Sequence, residues 1–158
     1  MTTFLAAQRI VRAAGETYQS PPANLLDGNP ATTADIYLTG SGQSDWFALD
    51  TGAETAIGSV TLANVTSSGL PLVASISDDP AREPNAGDAG ICTLAGPNPP
   101  AAGASCTFAA PSGSFTGRYV SIRMSEPTGG ATGSCTIGEA SYTPALAPPR
   151  NLTITVAS

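Results

Sequence analysis

The sequence predicts an all-β domain of many short strands, and three observations lead there. Of 158 residues, 41% are hydrophobic and only 11% charged, a mixture too apolar for a disordered chain. The 17 glycines and 14 prolines interrupt the chain too often for ordinary helices, which both residues break. Between the interruptions, segments alternate apolar and polar side chains, the period of a strand covered on one face. The length suits one domain with a single sizeable core.

In chain order, residues 3–13 (TFLAAQRIVRA) satisfy a short helix or a first strand, because Leu5, Ile10 and Val11 form no clean helical stripe. Pro21-Pro22 fixes an extended approach to NLLDGN, where Asp27-Gly28 is a strong turn pair. Trp46, Ala48 and Asp50 then alternate with Phe47 and Leu49, and Thr51-Gly52 ends that strand. In the next strand, residues 56–64, Ile57, Ser59, Thr61 and Ala63 share one face, with Ala56, Val60 and Leu62 towards the other. Leu72, Val73 and Ile76 make another, bounded by Pro71 and by Asp78-Asp79-Pro80. The acids of DDPAREPNAGDAG do not follow the spacing of an EF-hand loop, so residues 78–90 are expected to be a solvated connection.

Residues 92–94 and 105–108 read as short strands separated by AGPNPPAAGA. Residues 119–124 are the cleanest strand, with Val120, Ile122 and Met124 facing the core. EPTGGATGSC (126–135) is expected as a hairpin loop and Thr136 to Tyr142 as the returning strand that carries Glu139. Domain boundaries follow: a sandwich over 1–143, a proline-punctuated linker over 144–149 and a terminal strand over 150–158. That last strand either opens a following module or completes a neighbouring subunit's sheet.

Charge narrows the function. The six positive residues are all arginine, against twelve acids and no histidine, for a net charge of −6. Scattered arginines on an acidic domain give no footprint for nucleic acid, and no apolar run suits membrane insertion. Without histidine, the commonest general base and the commonest transition-metal ligand are both missing. Asp45 and Asp50 lie on one strand five residues apart and form no acid pair for glycoside hydrolysis. No enzyme is expected.

Cys92, Cys106 and Cys135 form no CxxC pattern. Cys92 and Cys106 flank the Pro/Gly/Ala connector and are expected to staple it, which requires an oxidising compartment and contributes roughly 3 kcal/mol for a loop of about fifteen residues. Cys135 is then either free or paired between chains. The sequons at Asn64 and Asn151 would permit glycosylation on a eukaryotic secretory route. The first residues lack a charged n-region ahead of an unbroken apolar core, so either a leader has been removed from a longer protein or export follows another route.

The ordered segments TYQS, NLLDGN, SDWFALDTGAETAIGSVTLAN, GRYVSIRM and IGEASY, over about residues 8–143, resemble the galactose-binding-like superfamily of discoidin and coagulation-factor type C domains, and within it the fucose-binding lectin branch. The resemblance implies an antiparallel jelly-roll β-sandwich of about eight strands, with an edge strand at Arg9–Ala14 and GRYV in a central strand. It also implies one Ca²⁺ that locks residues 29–44, held by the carbonyls of Asn24, Asn29 and Gly138, the side chains of Asp27 and Glu139, and an oxygen near Thr39. Fucose-binding members read the sugar with a histidine and two arginines. This chain has no histidine, and residues 64–69 (NVTSSG) hold no arginine, so that fucose site is absent. A different glycan at the same rim would use Asp45, Asn64, Ser67, Ser68 and Arg82 for hydrogen bonds and Tyr37 for stacking, with Trp46 left to the core. The expected role is a non-catalytic carbohydrate-binding or adhesion module, extracellular or on a cell surface, whose partner is a glycan or another protein. The alternative is a structural subunit of a filament, wall or virion surface, self-associating through residues 150–157 or Cys135.

Overall fold

A computed structural model of the chain describes residues 1–11, 20–38, 44–67, 69–84, 92–96, 101–111, 115–125 and 132–145, the side chain of Ser67 excepted. The strands are β1 (Thr2–Thr3), β2 (Ala6–Ile10), β3 (Ala34–Leu38), β4 (Trp46–Ser67), β5 (Leu72–Ser77), β6 (Cys92–Leu94), β7 (Ala104–Ala109), β8 (Phe115–Met124), β9 (Gly133–Ile137) and β10 (Glu139–Pro144). A 3-10 turn at Pro22–Leu26 is the one helical element among the described residues, and no helix there is long and apolar enough to cross a membrane. Every strand pairing is antiparallel.

The pairings make two layers. One runs β2-β4-β8-β5-β6. The other runs β1-β10-β4-β7, extended where β9 joins β3 to the far end of β4. One hydrophobic cluster lies between them, with Phe47, Leu49, Ile76, Val120 and Ile122 from the first layer and Ile57, Val60, Leu62 and Phe108 from the second. Each such side chain, fully buried, contributes about 1.5–3 kcal/mol. The sandwich expected from the sequence is therefore present, with ten strands among the described residues where about eight were anticipated.

Strand β4 departs most from expectation, because it does not stop at Gly52. Its first residues pair with β2 and β8, and from Ile57 it pairs with β10 and β7, so one strand of 22 residues serves both layers. Gly52 takes φ +85° at the bend, where the Leu5 side chain occupies the space a Cβ would need. The face assignment of residues 56–64 also changes. The register slips where Thr143 and Pro144 pair with Ser59 and Ile57, which puts Ile57 in the core beside Val60 and Leu62. A second slip between Leu62 and Val65 surrounds Asn64, whose φ of +50° is uncommon outside glycine. Bulges of this kind add a residue and so reverse the parity of the pleat.

Other expectations shift locally. The edge strand begins at Ala6 and ends at Ile10, earlier than Arg9–Ala14. The returning strand is broken at Gly138 into β9 and β10, because the two halves pair with different partners. Strand β10 runs through Pro144, and the amide of Ala145 donates to Ala56 O at 2.9 Å, so the sandwich extends past residue 143. The remainder of the linker, residues 150–158 and the Asn151 sequon lie outside the described residues.

The expected Cys92–Cys106 staple is not formed: all three cysteines are free thiols. The reason is strand direction. The two segments meet at the antiparallel bridge Ala95↔Ala109, and from there each cysteine lies three residues back along its own strand, hence on opposite sides of the bridge. At ~3.3 Å per residue this separates them by roughly 20 Å, against the 4.4–6.8 Å between Cα atoms that a disulfide tolerates.

Candidate functional site

The corner where the 27–32 turn meets β10 gathers the residues singled out for a cation. Two prolines lead into the 3-10 turn, and Asp27 closes it. Asp27 Oδ1 accepts from the amide of Asn29 at 2.8 Å, and its Oδ2 lies 2.5 Å from the Thr32 hydroxyl. Those bonds, the Thr32 hydroxyl first, hold the exposed Asp27 carboxyl below its usual range. From β10, Glu139 Oε2 accepts from Gly28 N at 3.0 Å. Burial, reinforced by the charge of Asp27, pushes the Glu139 carboxyl up, against the opposing pull of the Gly28 amide. From β4, Asn64 donates its side-chain amide to Pro30 O at 2.8 Å. Gly138 lies under the turn, where any Cβ would collide with the Pro30 carbonyl.

This corner fits a hard cation in part. Asp27 and Glu139 supply two carboxylates, and Ca²⁺ completes six to eight oxygen ligands with carbonyls and water. Among the described residues no three acids, cysteines or histidines cluster as a metal site, so carbonyls must supply most of the set. The Asn29 carbonyl already accepts from Thr32 N at 3.1 Å and lies 2.8 Å from Thr32 Oγ1. Asn24 spends its side chain on Thr33 O at 2.8 Å. Thr39 lies outside the described residues.

The proposed sugar-contact residues do not converge. Tyr37 and Asp45 are neighbours, joined by a backbone bond from Asp45 N to Tyr37 O at 3.4 Å, but Asp45 is 1% exposed and is a buried group, not a rim ligand. Asn64 belongs to the Asp27 corner, and its half-buried amide nitrogen is committed to Pro30 instead of being presented to a sugar or a glycosylating enzyme. Arg82 lies in the segment that crosses the outer face of the β2-β4-β8-β5-β6 layer, pinned by the Trp46 indole donating to Pro80 O at 3.1 Å and Arg123 Nε donating to Pro84 O at 2.8 Å. Trp46 is thus buried, as expected, but under this segment and not between the sheets. Ser68 and the side chain of Ser67 lie outside what is described.

Sequence reasoning missed a buried polar knot at the loop-bearing end of the sandwich. The Arg9 guanidinium donates to Ser20 O and Asp35 O, both at 2.8 Å, lies 3.6 Å from Asp35 Oδ1 and stands 5.4 Å above the Phe47 ring. Asp35 Oδ1 accepts from Ser20 N at 3.0 Å. Desolvation lowers the Arg9 pKa, and the charges of Asp35 and Asp45 oppose that. The only trace in the sequence is an arginine and an aspartate at otherwise apolar positions of strands.

No protein-family model matches the sequence, and a search of curated proteins returned no match. Solved structures do match. The chain superposes on a structure described as the CBM32 of AlyQ in complex with 4,5-unsaturated mannuronic acid, with TM-score 0.59 and 18% identity over 90% of this chain and 96% of that one. It also superposes on the family 32 carbohydrate-binding module of NanJ from Clostridium perfringens, in complex with galactose, with TM-score 0.58 and 15% identity over 87% and 91% of the two chains. A fucolectin from the serum of Morone saxatilis, the striped bass, gives TM-score 0.61 and 19% identity over 89% of this chain, which spans 46% of that longer one.

Proposed function

We propose that this chain, which has the galactose-binding-like β-sandwich fold, is a non-catalytic carbohydrate-binding module. The observation that carries the reading is coverage: the fold agrees along nine-tenths of the chain with modules whose structures hold a sugar. Of the residues expected to touch the sugar, Tyr37 on β3 is the one this reading keeps as a contact, and a secreted or cell-surface setting goes with that role. Fucose is not the sugar, because the histidine and paired arginines that read it in the resembling lectins have no counterpart here. A structural Ca²⁺ at the Asp27–Glu139 corner belongs to the same reading. Asp27, Glu139 and the carbonyls of Asn24, Asn29 and Gly138 would hold it, and its charge would offset the burial, and with it the lesser repulsion from Asp27, that raises Glu139. Binding to an array of galactosides, amino sugars and uronates, measured with ~10 mM calcium, above the roughly 0.1–1 mM dissociation constants of extracellular sites, and with a chelator, tests both parts. Saturable binding to at least one sugar class is expected, weakened by the chelator. A chain that folds yet binds no glycan on the array refutes the module, and binding indifferent to the chelator refutes the metal's part.

A further inference from the structure

A second feature lies on the outer face of the β2-β4-β8-β5-β6 layer, away from the loop end and from the Asp27 corner. Register places Ala6 beside Asp50 and Gln8 beside Ala48, with Tyr119 opposite Asp50 on the next strand. These five residues line a cavity of about 120 Å³. Ala6 and Ala48 keep it open, because both are too small to fill the space between Gln8 and Tyr119. Asp50 is held by Arg118 through two bonds, Nε to Oδ1 at 2.8 Å and Nη2 to Oδ2 at 2.9 Å, and Oδ1 also accepts from Gly52 N at 2.7 Å. The guanidinium stands 5.2 Å from the Tyr119 ring centroid. Next to the floor, opposite Ala48 in register, Ser121 carries a buried hydroxyl with no partner among the described residues.

Size and chemistry select the occupant. The cavity is far smaller than the roughly 300–1,000 Å³ pockets that enclose drug-sized ligands, and a void of about 150 Å³ holds no more than benzene, so it seats one face of a single ring and leaves the rest of the sugar in solvent. The exposed Ala6 methyl and the half-buried Tyr119 ring suit the C–H face of a sugar, while the Gln8 amide and the remaining lone pair of Asp50 Oδ2 suit its hydroxyls. The Arg118 charge is consumed by Asp50, which leaves no cation to reward a carboxylate ligand. We infer that this cavity is a second saccharide subsite, distinct from the loop-end site, that takes a single neutral hexopyranose residue. It requires the carbohydrate-binding reading in general but none of the loop-end residues.

The test is amide chemical-shift mapping of the whole chain titrated with methyl β-galactoside and, separately, with sodium mannuronate. The neutral sugar is expected to shift the amides of Ala6, Gln8, Ala48, Asp50 and Tyr119 saturably. Ala6→Phe, at an exposed position on an edge strand, fills the cavity and should weaken that set at least tenfold, as should Gln8→Ala, while Tyr37→Ala leaves it unchanged. Shifts confined to the loop end, no shifts at all, or a stronger response to mannuronate than to the galactoside would each overturn the inference. Array binding with a silent sheet face would sink this subsite alone.

Discussion

Replacing Arg9 by methionine should be among the most damaging changes in the molecule, although Arg9 touches no proposed ligand. Methionine keeps much of the volume over Phe47, so the loss isolates the polar contacts. The side chains of Arg9 and Asp35 are 10% and 5% exposed, which leaves solvent little part in screening them. Removing the arginine strands the Asp35 carboxylate, whose Oδ2 already lacks a partner among the described residues, and leaves the carbonyls of Ser20 and Asp35 short of a donor. Breaking a buried pair from one side costs about 3–5 kcal/mol. At about 2–4 °C per kcal/mol for a domain of this size, the melting temperature should fall by roughly 6–20 °C. Calorimetry and urea unfolding measure this directly. Adding Asp35→Asn to Arg9→Met should recover part of the loss, because it removes the stranded charge. A single variant within about 1 kcal/mol of the parent, or a double variant no better than the single, would refute the knot as described.

Two further predictions concern the Asp27 corner and the thiols. Calcium should raise the melting temperature of the parent chain but not of Glu139→Gln, a cleaner variant than Asp27→Ala because Asp27 also closes its own turn; equal shifts in both would remove the metal. Because the folded Glu139 pKa is raised, its protonated form adds stability below the unfolded value. That contribution is lost as pH rises through the raised value, so without calcium the parent should lose ground to Glu139→Gln as pH rises from about 4.3, the usual glutamate value. Burial pushes Cys106 up to about 11 and Cys135 up to about 12, so in the native state a thiol reagent at mild alkaline pH should reach Cys92 first and the other two only on unfolding. Equal rates at all three, or an intact mass two hydrogens short, would contradict the packing of free thiols.

What the sequence disclosed depended on how local its causes were. Strands such as β8 were legible because Val120, Ile122 and Met124 alternate without interruption. The Asp27-Gly28 turn was legible because both residues act through their own backbone. The continuity of β4 was hidden, since Thr51-Gly52 carries a stop signal that is overruled by Leu5 and by distant pairing partners such as Gly117 for Thr55 and Pro144 for Ile57. The parity of residues 56–64 was hidden for the same reason, because a bulge is a property of two strands. The error at Cys92 and Cys106 came from counting along the chain when antiparallel strands carry residues apart. Asn64 was assigned to a sugar rim because its partner, Pro30, is 34 residues distant.

Because a single strand stitches both layers, the stretch between its two halves joins two pleats that each keep their own phase. Between Asp50↔Tyr119 and Thr55↔Gly117 five steps of β4 answer two of β8, so this join already carries surplus backbone. One extra amino acid placed there should therefore be absorbed, whereas the same insertion between Ile57 and Leu62, clamped by β10 and β7, would turn core side chains to water.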